Sequence, residues 1–323
     1  VCYGSPARFL AQCTLNPADF SLDVAARGAQ NANSGVYQHR WVEMRTARIL
    51  LLTSLILHGA ATAGGRTICV DDDGPADFNN IQAAIDDAND GDTIFVADGT
   101  YTGDGNRDID FKGKAITLRS ENGPRKCIID CQGTQIEPHR AFYFHSGEDT
   151  NSILDGFTIT NGYVSESSSG LWYRHGGGIL CESAGPAIRN CIVTRNKADG
   201  GVGAGICCVH CYRVTITNCV ITENAARLGG GIGTFWGGVP VIASHDVIVT
   251  NCTFSGNSAE FGGAIKIGEA SNVFMVNCIL WADTALAGPE IEMQGTSWGS
   301  KLSISYSNVE GGEAAVRRDR LHW

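Results

Sequence analysis

The chain has 323 residues, 43% of them hydrophobic and 18% charged, with 41 glycines and a formal charge of −10. That length admits one large domain or two small ones, and the acidic balance argues against a nucleic-acid partner. Glycine at this level without a Gly-X-Y period excludes collagen and points to many tight corners.

Residues 1–43 begin with Val1 and hold no sustained period of 2 or 3.6. No packed core is expected there, and the segment reads as an unstructured, non-native upstream extension. From Met44 the sequence MRTARILLLTSLILHGAATAGG places two arginines before an apolar run and ends in Ala61-Thr62-Ala63. This is the layout of a secretory signal peptide over 44–63. The apolar run from Ile49 to Leu57 is too short to span a bilayer, so no transmembrane helix is expected. A secreted or cell-surface protein with bacterial-type export follows, with a single mature domain over 64–323. Export permits disulfides. Eleven of the 13 cysteines fall in that domain, and an odd number at repeat spacing points to small buried apolar residues as well as bridges.

The stretch ADFNNIQAAIDDANDGDTIFVADGTY (76–101) opens with a helical stripe of Phe78, Ile81, Ala84, Ile85 and Ala88. It predicts a capping helix over about 76–90, followed by an alternating strand over Thr93–Val96. Asp104, Asn106, Asp108 and Asp110 then alternate oxygen ligands like the start of a calcium loop. The stretch departs from an EF-hand, with Ile109 where glycine is needed and Ala115 where the bidentate Glu belongs. A polar corner loop is the plainer reading, and no other cofactor is implied.

From about residue 150 the chain repeats. Asn-Cys occurs at Asn190-Cys191, Asn218-Cys219, Asn251-Cys252 and Asn277-Cys278, with cysteine spacings of 28, 33 and 26. Each pair is followed by an apolar residue and then by Asn196, Asn224, Asn257 or Asp283. A glycine phrase keeps the same rhythm: GGGI at 176–179, GAGI at 203–206, GGGI at 229–232, GGAI at 262–265 and AGPEI at 287–291. One column therefore reads Phe157, Cys191, Cys219, Cys252, Cys278, Ser307. Each unit carries three short alternating runs with no helical crossover, and no unit can bury its apolar face alone. Stacked at about 4.8 Å per coil, like residues lie above like, and corner asparagines can hydrogen-bond along the stack. The predicted fold is all-β: a right-handed parallel β-helix with a short N-terminal capping helix and coils over about 93–310.

The helix followed by GDTIFVADGTY and the N-C-x-I-x-x-N coils resembles the pectin-lyase-like right-handed β-helix superfamily. FSGN (254–257) coupled with GGAI (262–265) is similar to the repeat of chlamydial-type polymorphic outer-membrane proteins. The superfamily resemblance implies polysaccharide lyases, glycoside hydrolases, adhesins and non-catalytic surface proteins alike, and fold cannot choose among them.

A lyase of this fold would need an Arg or Lys base with calcium-holding carboxylates, and a hydrolase paired carboxylates on one face. The outward residues of the glycine-phrase strands read Leu180, Cys207, Gly233, Lys266 and Glu292. No Asp pair stands at ladder spacing, and Lys266 with Glu292 reads first as a surface ion pair. His245-Asp246 is the compact acid/base dipeptide of the helix body. The run Cys207-Cys208-Val209-His210-Cys211 lacks the second ligand pair of a zinc site. Counting from Ile179 and Ile206 puts Cys181 against Cys208 in adjacent coils, bonded or stacked. Insertions over 163–175 and 234–246 carry Trp172, Tyr173 and Trp236 as candidates for stacking on sugars, with Arg174 and His175 beside them. The alternative for these aromatics is packing back onto the coils.

The favoured reading is a non-catalytic secreted or surface repeat protein that binds a polysaccharide or cell-surface glycan; the rival is a lyase or hydrolase working in the glycine-phrase groove. VRRDRLHW follows the last coil at about residue 310 without a capping device, so the expectation is either a truncated C-terminus, with a further C-terminal domain beyond it, or something else that covers that end.

Overall fold

The computed structural model describes residues 65–165, 174–235, 245–294 and 299–319. The expected extension over 1–43, the signal peptide and the aromatics Trp172, Tyr173 and Trp236 lie outside these residues. The described chain is a right-handed parallel β-helix whose strands form four all-parallel sheets of nine, eight, seven and five strands.

In the central coils the chain visits the sheets in a fixed order. Ala187–Arg189 lies in the nine-stranded sheet and Ile192–Thr194 in the eight-stranded sheet. Lys197–Val202 lies in the five-stranded sheet, and Ile206–Val209 in the seven-stranded sheet that holds the glycine phrases. Period-2 alternation sends every second side chain inward. Ile188, Ile216, Val249 and Met275 therefore stack from the first sheet, and Ile159, Val193, Ile221, Phe254 and Leu280 from the second. Ile179, Ile206, Ile232, Ile265 and Ile291 stack from the glycine-phrase sheet. All are essentially inaccessible to solvent.

Corners between strands are made by residues in the left-handed region. Asn190, Asn218, Asn251 and Asn277 have φ between 54° and 56°, a conformation that asparagine tolerates better than most residues. Each turns the chain so that the following cysteine drops into the core. At the corner before the glycine-phrase strand, the first glycine carries φ of 63–65° at Gly203 and Gly229. A Cβ there would sit 2.2–2.4 Å from the carbonyl oxygen of Ile206 or Ile232, so the close return of the backbone demands glycine.

Two asparagine columns run along the stack. On the outside, Asn190 Nδ2 donates to Asp155 Oδ1 (2.6 Å), Asn218 to Asn190 (3.2 Å) and Asn251 to Asn218 (3.1 Å). Inside, Asn196 Nδ2 donates to Asn224 Oδ1 (3.0 Å), Asn224 to Asn257 (3.0 Å) and Asn257 to Asp283 (2.8 Å). Each inner Oδ1 also accepts the backbone N–H of the preceding ladder residue. The expected cysteine column is present in order, with Cys191, Cys219, Cys252 and Cys278 buried between Phe157 and Ser307.

Four boundaries differ from expectation. The capping helix, α1, covers only Ile81–Asp87: Asn80 starts it by accepting the Ala83 N–H, and the extended Ala88 ends it. It lies within the first coil, because Thr67–Val70 precedes it and pairs in parallel with Thr93–Val96. The expected three strands per coil are four from Tyr163 to Ala287. Segments such as Ala225–Leu228 and Thr284–Ala287 bury few side chains, so no apolar alternation marks them in the sequence. Beyond residue 310, Val316–Asp319 pairs with Ile291–Gln294, so strand pairing continues to 319.

Asn224→Ala removes both bonds that Oδ1 accepts and both that Nδ2 donates, to Val193 O and Asn257. It is expected to cost about 3 kcal/mol or more in urea denaturation. Asn251→Gly, which loses one exposed bond and keeps the left-handed turn, is expected to cost less than about 1 kcal/mol.

Candidate functional site

The outward column of the glycine-phrase sheet runs Tyr143, Leu180, Cys207, Gly233, Lys266, Glu292, Arg317, in the register expected from the repeat and extended by one residue at each end. It is not an open groove. Leu180, Cys207, Val202 and Val209 form a second buried cluster outside the main core, with Tyr143 and Leu228 packed against it. Val202 and Leu228 come from the unforeseen fourth strand, which folds over the face. At Gly233 an added Cβ would lie 2.4 Å from Val202 Cγ1.

Lys266 and Glu292 meet across adjacent coils, Nζ donating to Oε2, with side chains only 7% and 2% exposed. The expected surface ion pair is therefore a buried one. Here the two charges neutralise each other in low dielectric, and neither is open to a substrate. His245 and Asp246 begin the strand His245–Thr250 of the nine-stranded sheet, away from Lys266 and Glu292. Asp246 Oδ1 accepts from Asn272 Nδ2 (2.9 Å), an exterior ladder contact.

The four calcium candidates make separate contacts rather than converging. Asp104 pairs with Arg107 (3.3 Å). Asn106 is buried and caps α1, its Oδ1 accepting the Ile81 N–H and its Nδ2 donating to Thr102 O. Asp108 binds His139 Nδ1 (2.5 Å) and the Arg140 N–H. Asp110 accepts the Lys112 N–H and lies 3.4 Å from His145. The carboxylates of Asp71, Asp72 and Asp73 also lie within 4.8 Å of one another. Asp71 there accepts the N–H groups of Asp73 and Gly74, which accounts for the cluster as a turn.

Of the expected sugar contacts, Arg174 is half-buried. His175 is 3% exposed, and its Nδ1 accepts the Val202 N–H (3.1 Å). Burial, and then the charges of Arg174 and Arg140, push its pKa down to about 4, so the ring is neutral. Cys181 and Cys208 stack in register as expected, unbonded, and share side-chain hydrogen bonds with Cys211. Burial followed by these neighbours raises the Cys181 thiol well above its ordinary range, which leaves it protonated and unreactive.

The titratable cluster that the sequence reading missed lies at the N-terminal end of the same face. Tyr143 and His145 are alternate residues of one strand and its exit, their rings stacked at 4.0 Å and 25°. The Tyr143 hydroxyl donates to Glu182 on the next coil, and the Arg140 guanidinium lies 5.3 Å from the Tyr143 ring centroid. Asp110 reaches His145 from below, and the His145 side chain is 37% exposed. AFYFH (141–145) lacks a glycine phrase, so it did not align with the repeat; counting one coil back from Ile179 would have placed it.

No family model and no curated protein matches the chain. Among solved structures it is similar to pectin methylesterase from carrot, 11% identical over 81% of this chain and 90% of that one, with a TM-score of 0.42. It is also similar to an alginate lyase from Paenibacillus sp. str. FPU-7, 14% identical over 76% and 99%, with a TM-score of 0.33. Likeness at this level assigns no residue a role. The right-handed parallel β-helix is assigned to this chain on its own strand register.

Glu292→Leu leaves the Lys266 ammonium buried without its anion and is expected to cost about 3–5 kcal/mol in chemical denaturation; Lys266→Met/Glu292→Leu together are expected to recover most of that. For His175 the folded pKa lies below the unfolded one. Its contribution to stability is therefore complete above the unfolded value of 6.5 and is lost as pH falls toward about 4. Titration of the unfolding midpoint is expected to show this slope in the wild type and a shallower one in His175→Gln.

Proposed function

We propose that this protein is a secreted or cell-surface β-helix repeat protein with no catalytic role, which binds carbohydrate at the Tyr143 end of its glycine-phrase face. The observation that carries this reading is the closure of that face. Leu180, Cys207 and Val202 fill its middle, and the Lys266–Glu292 couple is buried with each charge spent on the other. General acid–base work on a glycosidic bond needs carboxyl groups held open to the sugar, with a water or the ring between them.

The open end supports binding better than chemistry. Glu182 is engaged by the Tyr143 hydroxyl, and Asp110 by the Lys112 N–H and His145. The stacked Tyr143–His145 pair offers an aromatic surface flanked by carboxylate acceptors, a combination suited to sugar rings and their hydroxyls. Trp172, Tyr173 and Trp236 in the two insertions extend the same proposal. The segment 44–63 supports export.

The test is retention of the purified protein on immobilised polysaccharides of plant, algal and animal origin, with assay for new reducing or unsaturated ends. Retention without product is expected, reduced about tenfold or more in Tyr143→Ala/His145→Ala. Product above a boiled control would overturn the non-catalytic reading.

A further inference from the structure

The inner asparagine ladder ends in a pair of acids. Through the central coils the ladder position is Asn196, Asn224 and Asn257, while Gly178, Gly205, Gly231 and Ala264 hold a facing column. In the last of these coils both positions change, to Asp283 and Glu290. Glu290 belongs to the glycine column because its carbonyl accepts the N–H groups of Ala264 (3.1 Å) and Ile265 (2.9 Å). A Cβ added at Gly178 would sit 3.0 Å from Asn196 Nδ2, and one at Gly205 3.2 Å from Asn224 Nδ2. A side chain in this column thus faces the ladder side chain that the following coil sends back.

Asp283 and Glu290 are 5% and 1% exposed. Asp283 Oδ1 is filled by the Asn257 N–H (2.7 Å) and Nδ2 (2.8 Å). Asp283 Oδ2 and Glu290 Oε2 are buried with no hydrogen-bond partner, and the two carboxyl groups lie within each other's reach. Two carboxylates offer only acceptors, so a bond between them requires a proton on one of them. Asparagine would have supplied the N–H itself.

We propose that Asp283 and Glu290 form a one-proton latch that closes the C-terminal end of the inner ladder and opens when the proton leaves. Loss of the proton sets two buried anions against each other. Among the described residues the charge that faces both is Glu310, another anion, whose carboxylate accepts the Ala282 N–H (2.6 Å). Burial first, and then the bond to Asp283, push Glu290 up to about 8 from 4.5, and burial raises Asp283 as well. The folded pKa exceeds the unfolded one, so the latch contributes fully below about 4.5 and is lost as pH rises through about 8. Within that window, opening releases one proton, and the opening constant rises about tenfold per pH unit.

Hydrogen exchange of the full protein, read by mass spectrometry and corrected for intrinsic rates, tests this between pH 5.5 and 8. Opening of the peptide covering 279–294 is measured against that covering 186–194. The ratio is expected to rise about tenfold per pH unit in the wild type and to stay flat in Glu290→Gln and in Asp283→Asn, each of which supplies a permanent amide donor. A flat ratio in the wild type, or an unchanged slope in either folded variant, overturns the latch.

Discussion

The inner asparagine ladder is the interaction on which this molecule depends. A parallel β-helix stacks each coil on the next at about 4.8 Å, so a polar group buried in one coil has to find its partner in the neighbouring coils. An amide meets that demand because it both donates and accepts. Asn224 bonds Asn196 on one side, Asn257 on the other, and the Val193 carbonyl behind it. The column therefore tolerates no isolated exception, since an alanine in one coil orphans groups in two others. Where the ladder stops, something other than asparagine has to finish it, which is the place taken by Asp283.

The cysteine column obeys the same rule with a weaker donor. The thiols of Cys191, Cys219, Cys252 and Cys278 each donate to the carbonyl two residues back, at 3.2–3.4 Å. Cys252 Sγ also accepts the Cys219 N–H (3.4 Å). Ser307 fills both roles at the end of the column, donating to Ser305 O and accepting the Cys278 N–H. Cysteine is used here as a small apolar residue that can still satisfy a corner. That accounts for a column of stacked thiols that are not bridged.

Closure of the glycine-phrase face follows from the fourth strand. Once Lys197–Val202 and Ala225–Leu228 pair as a sheet of their own, their terminal Val202 and Leu228 come back over Leu180 and Cys207, converting an exterior column into a second small core. The buried Lys266–Glu292 couple extends that closed region by two coils. Among the described residues the face is polar and accessible at its Tyr143–His145 end, where binding is proposed, and at Arg317.

Repetition made most of the architecture legible. Period-2 alternation, Asn-Cys at coil spacing and the glycine phrases were enough to define parallel stacking, the core columns and the Cys181–Cys208 contact, because each follows from a local rule applied once per coil. The stripe from Ile81 to Ala88 likewise announced α1, though the cap at Asn80 and the strand at 67–70 changed its bounds and its place in the first coil. Burial, however, belongs to relations between coils. Whether Lys266 and Glu292 faced water, whether His175 could meet a ligand, and whether Asp104 to Asp110 shared a centre depended on where a strand without hydrophobic alternation came to lie and on which backbone groups lay nearby. The sequence by itself determined the stack and its columns, since those need only like residues above like. The tertiary structure alone decided which outward residues are exposed and which acids are buried, since desolvation is set by neighbours far away in the chain.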